Sequence, residues 1–157
     1  MIVDTSGLVA ILVGEEDAER LLDVLVSSVA AKISAATLLE AGIVLDSRTS
    51  PQQRRRLDDL LGMAEVQVVP FDEQQSQIAR QAYVDFGRGS GHPAQLNFGD
   101  TFAYALHRIT GEPILFKGED FAAAGVERGV ASTLRTDAVL DQALSDLAAA
   151  EGTAGWH

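Results

Sequence analysis

Apolar residues fall in two kinds of run along this chain. Residues 1–3 and 113–116 are short apolar runs, and 31–34 (Ala-Lys-Ile-Ser) and 66–69 (Val-Gln-Val-Val) are short stretches in which a polar residue interrupts apolar ones, all too brief for a helix. They are predicted strands. Between them, apolar positions recur at three- and four-residue spacing. Leu8 to Val13 is an apolar turn or helix, and a helix from Asp17 carries Ala18, Leu21, Leu22 and Leu25 on one face. The helix from residue 36 to about 47 is apolar nearly all round, with Leu38, Leu39, Ala41, Ile43, Val44 and Leu45. Ser50-Pro51 opens another, whose stripe is Leu57, Leu60, Leu61 and Ala64. Asp72, with Gln75 three positions on, caps a helix predicted to bury Ala79, Ala82, Tyr83 and Phe86. Phe102, Ala105, Leu106 and Ile109 are the expected core stripe of the next, which ends at Gly111.

A short fifth strand is expected within 126–133, then a helix from about 137 with Leu140, Ala143, Leu144 and Leu147, and a loose tail. Strands alternating with helices predict an α/β fold, a three-layer α/β/α sandwich around a central, mainly parallel sheet of four to five strands. Its 157 residues fit one domain, read here as 1–135 with the helix and tail of 136–157 appended.

Composition narrows the chemistry. There is no cysteine, so disulfides, thiolate metal sites and cysteine nucleophiles are excluded. Met1 is followed directly by Ile-Val-Asp, without a basic n-region or an apolar run of membrane-spanning length, and the expectation is a soluble cytoplasmic protein with no membrane contact. A formal net charge of -11 argues against holding nucleic acid through a broad basic surface. It does not exclude a nucleic-acid enzyme, because a carboxylate cluster loaded with divalent cations is locally positive.

Four acids stand where this fold would concentrate chemistry. Asp4 follows the first strand and Asp120 the fourth, while Glu40 and Asp100 lie in the first turns of two helices flanking the same sheet edge. Ligands of open parallel sheets bind at the carboxyl ends of the strands, near the switch point in strand order. Each acid also has an ordinary reading. Thr37 and Glu40 match a capping box, Asn97 is a suitable N-cap, and Asp100 in a first turn suits the helix dipole. Four acids directed to one edge are harder to explain as four independent caps. Close carboxylates repel by on the order of 4 kcal/mol per pair near a surface, so a cation is expected among them. An all-oxygen ligand set suits Mg²⁺ or Mn²⁺ better than Zn²⁺, and such a metal supports hydrolysis of a phosphate ester by water.

Other charged stretches read more plainly. Arg54-Arg55-Arg56 is followed by Asp58 and Asp59 at helical spacing, the pattern of a self-paired solvated face. Residues 87–93, Gly-Arg-Gly-Ser-Gly-His-Pro, form a loop that lacks the ending of a P-loop and follows no strand. Arg88 and His92 within it are candidate contacts to substrate phosphate.

Ile2-Val3-Asp4-Thr5-Ser6, Leu39-Glu40, Asn97-Phe98-Gly99-Asp100 before Phe102-Ala103-Tyr104-Ala105, and Phe116-Lys117-Gly118-Glu119-Asp120-Phe121 together resemble the PIN domain, in the form found in VapC-type toxins of toxin-antitoxin pairs. The resemblance runs from residue 1 to about 130. It implies a Mg²⁺-dependent endoribonuclease, inhibited by a VapB-type antitoxin and usually dimeric. By that pattern Asp4, Glu40, Asp100 and Asp120 hold the metal, Thr5 or Ser6 adds a hydroxyl, and Asn97 and Lys117 stand in support. Lys117 and Glu119 replace the small polar residues usual before the fourth acid, which leaves Glu119 and Asp120 as alternatives there; Phe121 favours Asp120. The rivals are a receiver-like phosphoacceptor domain, disfavoured because Asp4 stands alone and the third strand ends in Val69-Pro70, and a non-enzymatic scaffold in which all four acids are caps.

Overall fold

The computed structural model describes residues 1–48 and 50–129. Four strands, β1 (Ile2–Val3), β2 (Lys32–Ser34), β3 (Gln67–Val69) and β4 (Ile114–Leu115), form one sheet in the order β3-β2-β1-β4. Every pairing is parallel, with Ile2 beside both Lys32 and Ile114 and Ser34 beside Val69. The carboxyl ends of all four strands therefore share one edge. The chain steps outward from β1 through β2 to β3 and then returns to the other side of β1, so the order reverses between β1 and β4, directly ahead of Asp4.

Among the described residues, seven helices accompany the sheet: α1 (Thr5–Val13), α2 (Ala18–Ser27), α3 (Ala35–Arg48), α4 (Pro51–Met63), α5 (Glu73–Phe86), α6 (Asp100–Thr110) and the single turn α7 (Asp120–Ala123). Strand pleating divides the core in two. Val3 and Leu115 join the apolar cluster under α1 to α4, whereas their neighbours Ile2 and Ile114 join Tyr104, Leu106, Phe116 and Phe121 on the opposite face. This is the three-layer arrangement that the alternation predicts. Among the described residues, no helix is long and apolar enough to cross a membrane.

Some predicted faces differ. In α6 the buried side includes Ala103, Tyr104, Ala105 and Leu106, but Ile109 is exposed because the helix has run past the sheet by its last turn. Tyr83 of α5 is likewise exposed, while Ala79 and Ala82 pack inward. In α3 the apolar girdle is only half covered: Ala41 and Leu45 are buried, Leu39 and Ile43 face outward. The expected fifth strand appears, within the described residues, as a single parallel bridge between Ile114 and Arg128. The remainder of that strand, the helix from about 137, the tail and the boundary at 135 lie outside the described residues.

Away from the carboxyl edge, the α-amino group of Met1 and Lys32 Nζ both pair with the Glu112 carboxylate, Lys32 at 2.5 Å. Glu112 connects the starts of β1, β2 and β4 and is held below the ordinary range by these two cations, which outweigh the opposing effect of its partial burial.

Candidate active site

The carboxyl edge opens into a cleft of about 330 Å³ lined by Asp4, Thr5, Ser6, Glu40, Asn97 and Asp100, with Glu15 and Lys117 also at its wall. Each acid arrives there for a local reason. Asp4 leaves β1 in extended conformation, its N–H donating to Leu115 O at 3.1 Å, and becomes the N-cap of α1. One oxygen, Oδ2, accepts from Ser6 N at 2.9 Å and Ser6 Oγ at 2.6 Å. The other, Oδ1, is buried and has no hydrogen-bond partner. Asp4 is 1% exposed. Burial, joined by the nearby charges of Asp100 and Glu40, pushes its carboxyl up to about 7 against the pull of the two Ser6 hydrogen bonds.

Asp100 is held by reciprocal bonds with Asn97: Asn97 N donates to Asp100 Oδ2 at 2.7 Å, and Asp100 N donates to Asn97 Oδ1 at 2.9 Å. Asn97 thus caps the helix start as the sequence suggests, three residues ahead rather than adjacent to it. Burial raises the Asp100 carboxyl to about 6, with Asp120 and Glu40 adding to the rise and the Asn97 hydrogen bond and Arg88 opposing it.

Glu40 is not a capping residue. Because α3 already begins at Ala35, with Ser34 Oγ accepting from Ala36 N at 3.3 Å, the Thr37/Glu40 box lies one turn too far along. Thr37 is fully buried and its hydroxyl has no partner. Freed from the backbone, Glu40 Oε2 instead accepts from Thr5 Oγ1 at 2.7 Å, and its carboxylate lies against the α-carbon of Gly99.

Asp120 is exposed at the head of α7 and does not line the cleft, but it is near enough to raise Asp100. Glu119 turns away and pairs with Arg128 at 3.4 Å. Arg128 secures this loop: it donates to Phe116 O and Gly118 O at 3.0 and 2.7 Å, and its guanidinium sits 4.1 Å from the Phe116 ring centre. Sequence reasoning misses Arg128, whose isolated position carries no signal.

Ser6 is the junction between β1 and β4. Its hydroxyl donates to Asp4 and accepts from Lys117 N at 3.1 Å. Lys117 Nζ pairs with Glu15, a second residue that the sequence pattern does not single out. Glu15 reaches the cleft because Gly14 ends α1 at a φ of 74, letting Glu15 N turn back to Ala10 O at 3.0 Å. Of the two loop candidates, Arg88 is exposed and electrostatically coupled to Asp100. His92 is engaged elsewhere: its ring packs edge-on to Phe86 and its Nδ1 accepts from Ala94 N.

The donors around this cleft are hard oxygens, and Asp4 Oδ1 is an orphaned carboxylate oxygen aimed at no protein donor, which fits a hard divalent cation. Among the described residues, no three acidic or imidazole side chains converge tightly enough to enclose a metal ion. That openness suits an ion that retains several of its waters and needs only one or two carboxylates.

The PIN domain family profile matches residues 1–127. Ribonuclease VapC28 of Mycobacterium tuberculosis is 52% identical over 130 residues, covering 83% of this chain and 98% of that protein. Ribonuclease VapC of Mycolicibacterium smegmatis is 46% identical over 121 residues, covering 77% and 93%. The crystal structure of Mycobacterium tuberculosis VapC20, described as a sarcin-ricin loop cleaving toxin, superposes with a TM-score of 0.65 at 21% identity, over 80% of this chain and 95% of that one. With its parallel sheet, its acids at the switch point and relatives aligned almost end to end, the chain belongs to the PIN-domain family, among the VapC ribonucleases.

Proposed function

We propose that this ribonuclease is a Mg²⁺-dependent endonuclease, with Mn²⁺ as an alternative ion, and that it acts as the toxin of a pair whose VapB-type antitoxin silences it. The observation that carries the reading is the state of Asp4 and Asp100: two carboxyls buried at one sheet edge, both raised toward neutrality, one with an oxygen that no protein donor satisfies. Stability alone does not favour such a pair, since apolar residues of similar size would cost less. A divalent cation bound there would supply positive charge to a substrate phosphate and make a water acidic enough to attack it.

The chain's own residues then have distinct tasks. Asp4 and Asp100 would hold the ion, and Glu40, oriented by Thr5, faces the same cleft, where it would accept a proton from an attacking water. Ser6 fixes the rotamer of Asp4, Asn97 that of Asp100. Asp120 adds negative charge at the mouth, and Arg88 is the cation nearest to hand for a phosphate of the RNA. Lys117 is neutralised by Glu15 and supports the wall instead.

For the antitoxin, the acidic cleft favours a basic segment, led by Arg, that enters and neutralises the carboxylates as a metal does. The resemblance further implies a homodimer. A receiver-like role is disfavoured by topology, because β3 lies at the sheet edge, separated from β1 by β2. The scaffold reading retains one supporting fact, that Asp4 and Asp100 each do accept a capping hydrogen bond.

Incubating the purified chain with total RNA, with and without MgCl₂, tests the proposal. Discrete cleavage that requires the metal, and that disappears in Asp4→Asn and Asp100→Asn with the fold retained, is the expected result. Metal-independent cleavage, or undiminished cleavage by the double variant, would refute it.

A further inference from the structure

The loop carrying Asp100 also carries an aromatic ring that the metal site does not use. Phe98 is 73% exposed, more than any other large apolar residue among those described. It is nevertheless firmly placed. Its ring stands edge-on to Phe102, with centroids 4.9 Å apart, and Phe102 is braced in turn by Phe71 at 5.2 Å. Its carbonyl accepts from the Thr101 hydroxyl at 2.6 Å and from Thr101 N at 3.3 Å, and Thr101 is buried. The next residue, Gly99, is wedged against Glu40, and the one after is Asp100. A rigid aromatic ring is thus displayed two residues from a buried carboxylate of the cleft.

The charge of the chain says what such a ring could bind. At a net -11, with Lys117 tied to Glu15, the described side chains around the cleft offer a polyanion little electrostatic attraction beyond Arg88. A cation held by the carboxylates would meet one phosphate, but the nucleotides flanking it must gain affinity from contacts that do not depend on charge. Stacking of an unpaired base on an aromatic face is the contact that acidic surfaces can still supply, and it tolerates any base because each has a π-face.

We propose that Phe98 is a stacking platform for an unpaired nucleobase next to the scissile phosphate, a positioning residue that holds the strand so that its phosphate enters the cleft. This rests on the nuclease reading above. It implies that the preferred substrate presents at least one unstacked nucleotide at the cleavage position, so that a fully paired duplex is a poor substrate.

The test uses a single-stranded oligoribonucleotide whose cleavage position has been mapped with the wild-type chain, and matched copies carrying one abasic residue on either side of that position. Phe98→Ala should raise KM by about tenfold with kcat nearly unchanged, the size of effect expected for losing one base stack. The wild-type chain should lose a similar factor on one of the abasic copies, and Phe98→Ala should not distinguish that copy from the intact strand. Phe98→Trp should restore both affinity and discrimination. Equal KM for wild type and Phe98→Ala would overturn the proposal while leaving the nuclease intact. So would a variant that cleaves normally but fails to bind a protein partner, which would assign the ring to a protein contact. Failure of the wild-type chain to cleave any RNA would instead remove the nuclease reading, and this inference with it.

Discussion

Gly99 and Glu40 are packed so closely that a β-carbon on Gly99 would overlap the Glu40 carboxylate. Gly99 has a φ of -65, which any residue adopts, so the requirement for glycine here is steric and not conformational. Gly99→Ala should push Glu40 off Thr5 Oγ1 and out of the cleft. We expect RNA cleavage to fall by at least about tenfold, the scale of losing a positioned acid–base group, and stability to fall by about 1–3 kcal/mol, the usual cost of overpacking. Shortening the neighbour in Gly99→Ala/Glu40→Ala should recover the stability but not the activity. Urea melts and a cleavage assay on wild type, Gly99→Ala, Glu40→Ala and the double variant separate the two effects; additive stability losses would mean that the residues do not meet.

Asp4 and Asp100 make the metal-free protein sensitive to pH in an unusual direction. Both carboxyls are raised by folding, to about 7 and about 6 from 3.8, so the native state binds protons more tightly than the unfolded chain. Stability from these two groups is full below pH 3.8 and is lost as pH rises toward 7. In chelator, Asp4→Asn should therefore raise Tm at pH 8 by about 2–8 °C, on a scale of about 2–4 °C per kcal/mol for a chain of this size. Adding MgCl₂ should raise Tm of the wild-type protein and not of the variant, and this gain should grow as pH increases because bound metal displaces the protons. A wild-type Tm indifferent to Mg²⁺ at every pH would favour the scaffold reading.

These two acids also show how much of the site is legible in the sequence. Asp4 is legible because a short apolar run ending in an acid places that acid at a strand's carboxyl end, and the parallel topology then fixes the edge. Asp100 is legible through its loop-to-helix context. Glu40 is legible as a residue but not in its setting, since the capping-box pattern around Thr37 is local while the true helix start, at Ala35, is decided by where β2 stops. The Gly99 contact, the Arg128 clamp and the Glu15–Lys117 pair join segments far apart in the chain, and no periodicity encodes them. Ile109 and Tyr83 depart from their expected burial because helical spacing defines a face but not how far along the helix the sheet extends.

Ser6 should set the working pH of the site. Its hydroxyl and N–H both lower Asp4, and the hydroxyl also accepts from Lys117 N across the sheet edge. Ser6→Ala keeps the N–H and removes the hydroxyl, so Asp4 should hold its proton to higher pH. The acidic limb of the kcat/KM profile should move to higher pH, and activity at neutral pH should fall by about tenfold for every pH unit that the limb moves, with recovery in alkaline buffer. Ser6→Thr should restore the wild-type profile if the methyl is accommodated. A uniform loss at every pH would mean that Ser6 acts through packing and not through Asp4.

At the opposite end of the sheet, where Glu112 balances the α-amino group of Met1 and Lys32, the sign is reversed. The Glu112 carboxyl is lowered by its partners, so its contribution is present above its unfolded value of 4.5 and is lost as pH falls through the lower folded value. Glu112→Gln should destabilise the protein at neutral pH, leaving two cations at the strand starts without their counter-charge, and the difference from wild type should shrink in acid. Lys32→Met in the same background should restore part of the loss by removing one of those cations. Because none of these groups reaches the cleft, the RNA-cleavage rate of folded Glu112→Gln should match wild type. A variant that stays stable while losing cleavage would show the two ends of the sheet to be coupled.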